Sequence, residues 1–121
     1  MLTDARSVAL AQAFKSIACR VPGLRWMEFE AAASRCDVHP VVVGGEIAGA
    51  VLVDGPELHA CVMPWAIGRW MRKEHLKLID VVIEKHGKAV TSATTEAGKR
   101  FVERLGFLPN GDKYVKVKHG L

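Results

Sequence analysis

The stretch that decides the fold reads Glu57-Leu-His-Ala-Cys-Val-Met-Pro-Trp-Ala-Ile-Gly-Arg-Trp70 and runs on to His86-Gly87-Lys88. Leu58, Ala60 and Val62 alternate with His59, Cys61 and Met63, which is the period of a strand. Pro64 closes that strand. From Trp65 to His86 the period becomes helical, with Ile67, Trp70, Met71, Leu78, Ile79, Val82 and Ile83 recurring on one side, and Gly87 is a good helix stop. Lys88 to Thr94 then reads as a short strand containing Ala89, Val90 and Ala93. Strand, helix and strand in this order form a crossover unit, which is right-handed and sets its two strands parallel.

Upstream, Val41-Val42-Val43 is a β-branched run followed by Gly44-Gly45, a dipeptide suited to the positive φ angles of a tight hairpin. Ile47 to Val53 answers it, and Asp54-Gly55-Pro56 is a second turn signal. With Leu58–Met63 these segments predict a three-strand antiparallel meander. Residues 3–20 read as an amphipathic helix that starts near Asp4, carries Val8, Leu10, Ala11, Phe14, Ile17 and Ala18, and ends at Pro22-Gly23. A second helix is expected from Leu24 to Cys36, with Leu24, Met27, Ala31 and Ala32 on one side.

Downstream, Thr94 or Thr95 can N-cap a helix with Glu96 in its first turn. Ala97, Phe101, Val102 and Leu105 form its inner face, and Gly106 ends it. Phe107-Leu108 and Tyr114–Val117 are a final strand pair around Pro109-Asn110-Gly111-Asp112. No repeat or linker interrupts the chain. The expected architecture is one α/β domain over residues 1–121 with a mixed sheet.

The chain has 121 residues, half of them hydrophobic and a quarter charged, with a formal net charge of +4. This composition excludes a disordered chain. A basic balance suits polyanions or simply solubility. The charges are dispersed in small groups, Arg69, Arg72 and Lys73, then Lys113, Lys116 and Lys118. No block of five or six occurs, so nucleic acid is not the expected partner. Cys19, Cys36 and Cys61 match no zinc or redox spacing. His75, His86 and His119 show no metal-ligand pattern, so no metal is expected. No run approaches the ~20 apolar residues of a membrane span, and the first residues lack the features of a signal peptide, so a cytoplasmic protein without a membrane partner is expected.

Candidate chemistry gathers where the strand at Val62-Met63 meets the following helix. A helix start offers unpaired N–H groups and a partial positive charge, a glycine permits close approach of an anion, and Arg69 adds full charge. A pyrophosphate can be held in this way. The alternative for Arg69, Arg72 and Lys73 is a solvated helix face. Glu57 can be a general base or a solvated strand-edge carboxylate. His59 can be a base or a structural residue, and Cys61 has no identifiable base beside it.

Two stretches together resemble the GNAT-type N-acetyltransferase superfamily. Phe101-Val-Glu-Arg-Leu-Gly-Phe107 is similar to the Phe-Tyr-Glu-Lys-Leu-Gly-Phe-like end of that family's late helix. Val62-Met63-Pro64 is similar to the Val-x-Pro that ends its central strand. The resemblance covers roughly Val41 to the C-terminus. It implies a GNAT-like fold, acetyl-CoA as co-substrate, and transfer of acetyl to an amine on a small molecule or protein. It places Val62 and Met63 beside the pantetheine arm, with Ile67, Gly68 and Arg69 nearest the pyrophosphate. Thr95 falls where an asparagine often faces the arm, and Glu57 where some members draw a base. A homodimer is an assembly it leaves open.

The sequence also departs from the family. Counting on from Pro64 puts Ile67, Trp70 and Arg72 at the three set places of the usual Arg/Gln-x-x-Gly-x-Gly/Ala phosphate loop, while a deletion that keeps Gly68 as a loop glycine shortens it. Val102 replaces the tyrosine that protonates the leaving thiolate. The chain also opens on a helix where the family has a strand. These departures motivate a second expectation, a catalytically inactive GNAT-fold protein with a structural role. It looks like the compact acetyltransferase-like proteins of tailed phages, which occur in host cytoplasm or as virion components.

Overall fold

The computed structural model describes residues 4–19, 21–93 and 95–118. The element order is α1 (Ala5–Ala18), α2 (Trp26–Ala33), β1 (Asp37–Val43), β2 (Glu46–Asp54), β3 (Glu57–Val62), a 3-10 turn (Pro64–Ala66), α3 (Lys73–His86), β4 (Lys88–Thr91), α4 (Glu96–Arg104), β5 (Leu108–Asn110) and β6 (Lys113–Val117). The strands hydrogen-bond in the order β1-β2-β3-β4-β6-β5, an open, mixed, six-stranded sheet. Pairing is parallel between β3 and β4, as the crossover predicts, and antiparallel in β1/β2, β4/β6 and β5/β6. The fold class is therefore mixed α/β.

By its contacts the chain divides into two compact units, Met1–Asp54 with His59–Met71, and Gly55–Leu58 with Arg72–Leu121. Strand β3 thus gives its first two residues to the second unit and the rest to the first.

In the first unit α1 starts where the Asp4 carboxylate accepts from the Ser7 N–H at 2.7 Å, a side-chain N-cap. Its inner face is Ala9, Leu10, Ala13 and Ser16, with Phe14 and Ile17 partly buried. α2 is shorter than the expected Leu24–Cys36 and turns a different side inward. Phe29 and Ala33 are buried, whereas Met27 is 79% exposed. The aromatic rings decide this. Phe14, Trp26 and Phe29 lie with centroids 5.5 to 5.9 Å apart, in edge and tilted arrangements that fix the short helix by Phe29. Ala50, Leu52 and Cys61 complete this core.

The β1/β2 hairpin turns on Gly44 and Gly45, both at positive φ (60° and 83°), as expected of the Gly-Gly dipeptide. β1 begins earlier than expected, at Asp37, and holds Pro40 within it. An edge strand tolerates a proline because its outer side needs no donor. The β1/β2 register slips between Val41, opposite Gly49, and Val42, opposite Ile47, so Ala48 is the extra residue of a bulge. The Ala48 carbonyl accepts instead from Met63 N–H at 2.8 Å. Gly49 faces the β3 backbone so closely that a Cβ there would sit 2.0 Å from the Cys61 carbonyl oxygen. The expected alternation of β3 breaks near this point, with Cys61 buried and Ala60 exposed.

In the second unit α3 begins at Lys73, not at Trp65. Its inner face is His75, Ile79, Val82 and Ile83, and Gly87 at φ 80° closes it in the left-handed conformation. His75 Nδ1 accepts from the Arg72 N–H at 3.1 Å, which satisfies one donor at the helix start. The β3/β4 pair rests on Glu57 opposite Val90, with Val90 N–H donating to the Pro56 carbonyl at 2.8 Å. The Thr91 hydroxyl adds a 2.8 Å bond to the Leu58 carbonyl. Thr95 N-caps α4, its Oγ1 accepting from the Gly98 N–H at 3.0 Å. Thr94, the other expected cap, lies outside the described residues, as does His119. Val102 is buried and Phe101 and Leu105 are half-buried, while Ala97 is exposed, contrary to its expected inner position. The cap places Ala97 in the first turn, where the apolar stripe has not yet reached its neighbours.

Candidate functional site

The residues singled out in the sequence fall into two groups. Val62, Met63, Ile67, Gly68 and Arg69 form one short segment of the first unit, and Glu57 and Thr95 belong to the second.

The segment after β3 is built by local hydrogen bonds. The Met63 carbonyl accepts from Ala66 N–H at 2.9 Å, and the Pro64 carbonyl from Ile67 N–H at 3.3 Å. Ile67 has φ −59° and ψ 130°, Gly68 has φ 87°, and Arg69 N–H donates to the Ala66 carbonyl at 3.0 Å. These are the dihedrals and the closing bond of a type II turn, which demands glycine in its third place. Gly68 is thus explained by the turn. The turn also corrects the expected helix from Trp65. Only the single 3-10 turn Pro64–Ala66 is helical before Lys73, so Ile67, Gly68 and Arg69 precede the first turn of α3 in spite of their helical apolar period. Trp70 is buried at 7% and Ile67 is 65% exposed, opposite in burial although both were expected on one face.

Met63 has both backbone groups engaged, its N–H by Ala48 and its carbonyl by Ala66. Neither group of Met63 is therefore open for a new backbone bond without sharing. Arg69 is exposed and donates one guanidinium N–H to the Trp65 carbonyl at 2.6 Å. A guanidinium has five donors, so this bond orients the side chain and leaves others for an anion.

Glu57 stands at the start of β3, the end away from Val62. Its Oε1 accepts from Lys113 Nζ at 2.9 Å, with both side chains about a third to a half exposed (36% and 44%). The hydrogen bond to Glu57, and then the charge of that carboxylate, hold the Lys113 ammonium above its usual range. Exposure screens the pair, so it contributes little to stability. It does hold Oε1, an atom a general base would use, against an ammonium. Lys113 escaped the sequence reading because 56 residues separate the partners and only the β3-β4-β6 order joins them.

Thr95 is exposed, with its hydroxyl oxygen taken up by the α4 cap. Val102 is buried. Among the described residues no three His, Cys, Asp or Glu side chains converge as metal ligands. None of the described helices is long and apolar enough to cross a membrane. Comparison with family models, with curated proteins and with solved structures returns no match to this chain.

Proposed function

We propose that the protein is a GNAT-like acyl-CoA-binding protein, with acetyl transfer from acetyl-CoA to an amine as its activity. The observation that carries the reading is the order β3-α3-β4-α4. In it a parallel strand pair is followed by a threonine-capped helix ending in the Phe101–Phe107 motif. Bound acetyl-CoA would supply an activated acetyl thioester. On this chain Val62 would offer a backbone group to the pantetheine arm, and the spare donors of Arg69 would take a phosphate. Ile67 and Gly68 would shape the turn that presents them. Thr95 would lie along the arm, and Glu57 would accept the amine proton. Met63 fits its expected role least well.

Calorimetric titration with acetyl-CoA tests the reading, and absence of heat at millimolar cofactor would end it. Arg69→Ala should weaken binding by about 1–3 kcal/mol, the scale of a charge-assisted hydrogen bond. If Glu57 is the base, Glu57→Gln should lower kcat on the order of 10²- to 10⁴-fold.

A second reading, a GNAT-fold protein without catalysis and with a structural role, is favoured by two observations. Val102 replaces the proton donor and is buried, and the Glu57 carboxylate is tied to Lys113. Acetyl transfer to any amine would count against it. Cofactor binding without turnover would favour it.

A further inference from the structure

The net charge of +4 is not shared between the two units. The first holds six Lys and Arg against six Asp and Glu; the second holds eleven against seven, so the whole excess lies there. Within the second unit the fold gathers cations at one end. Lys85 is in the last turn of α3, and Gly87 turns the chain into β4, whose first residue is Lys88. β6 runs antiparallel to β4, with Val117 opposite Lys88 and Lys116 opposite Ala89, so Lys116 and Lys118 arrive at the same end. Lys118 Nζ reaches Glu84 of α3 at 3.1 Å. Arg104 closes α4, and Gly106 beyond it lies against the Lys116 side chain, where a Cβ would be 3.2 Å from Lys116 Cε.

Among the described residues five cations, Lys85, Lys88, Arg104, Lys116 and Lys118, therefore share this end with two carboxylates, Glu84 and Glu103, and Glu84 is already paired. Elsewhere in the unit Glu57–Lys113 and Glu96–Lys99 pair opposite charges. Cations at helix C-termini complement the dipole, which accounts for Lys85 and Arg104. It does not account for Lys88 and Lys116 on the strands.

We propose that this end of the second unit binds the phosphate backbone of duplex nucleic acid without reading its sequence. An array of lysines neutralises phosphates as point charges. Tyr114, the aromatic residue of β6, is buried, so the strand offers no platform for stacking single-stranded bases. The cations come from helix ends and strand ends, not from an amphipathic helix face of the kind that lies on lipid. The proposal is independent of the acyl-CoA reading, which rests on other residues.

The test is fluorescence anisotropy of a labelled duplex of about 20 base pairs with the full chain, in about 20 to 200 mM salt. The four cations that no carboxylate holds among the described residues predict a slope of log affinity against log salt of about −3 to −4. Lys85→Gln with Lys88→Gln, both exposed, should reduce the slope by about 2 and the affinity at ~100 mM salt on the order of fifty-fold. Arg104→Gln alone should reduce the slope by about 1, and Lys73→Gln should leave it unchanged. No binding at the lowest salt, slopes unmoved by these variants, or tighter binding to phosphatidylserine vesicles than to the duplex would each overturn the proposal.

Discussion

Two glycines show how much a single residue's surroundings decide. Gly49 stands where a Cβ would meet the Cys61 carbonyl oxygen at 2.0 Å, which only movement of a strand backbone could relieve. Gly68 also has positive φ, but apart from its chain neighbours no described atom lies within 4 Å of the space a Cβ would fill. Gly49→Ala should therefore lower stability by ~3 kcal/mol or more. Gly68→Ala should cost only about 1–2 kcal/mol, the strain of an L-residue in the left-handed region. Urea denaturation of the two variants checks the difference. The Gly68 variant also probes function. If the glycine serves only its turn, acetyl-CoA affinity measured on the folded variant is unchanged.

Among the elements, the helix caps carry the sharpest expectations. Thr95→Ala removes the side-chain cap of α4 and should cost about 1 kcal/mol, read as a lowered denaturation midpoint. Asp4 caps α1, and the hydrogen bond from the Ser7 backbone, followed by that from its side chain, holds its carboxyl below the usual range. Because the folded value is depressed, the cap stabilises α1 above the unfolded carboxyl's pKa and is lost as pH falls through the folded one. The Ser7 amide resonance should titrate in that acidic window. Asp4→Asn, which caps without ionising, should abolish that titration.

The elements also show what could be read from residues in sequence. The Gly44-Gly45 hairpin, the β3-α3-β4 crossover and the Thr95 cap were legible because each depends on residues adjacent in the chain. The start of α3 was misread because Ile67, Trp70 and Met71 have a helical period while Gly68 sets a turn; its position four residues after Pro64 was the available signal. The start of β1 was hidden by Pro40, which only an edge position permits. The Lys113 partner of Glu57 and the gathering of Lys85, Lys88, Arg104, Lys116 and Lys118 left no local trace. They depend on the order in which strands pair.

At the scale of the whole molecule, both terminal strands of the sheet contain a proline, Pro40 in β1 and Pro109 in β5. Each removes a donor that an added strand would need, a device that limits edge-to-edge association. Pro109→Val should increase aggregation on light scattering at raised concentration, while Pro109→Lys, which restores the donor but adds charge, should increase it less.

The division of β3 between the units has a consequence for how the gene can be cut. All residues of the first unit have been synthesised once Met71 is added. The second unit, although mostly made afterwards, depends on four residues translated earlier, Gly55–Leu58. A fragment starting at Arg72 would lack the carbonyls of Pro56 and Leu58 and the Glu57 carboxylate, partners of Val90, Thr91 and Lys113. Split at that codon, the gene should yield a C-terminal piece that stays unfolded alone and gains protection from amide exchange when an N-terminal piece carrying residues 55–58 is supplied.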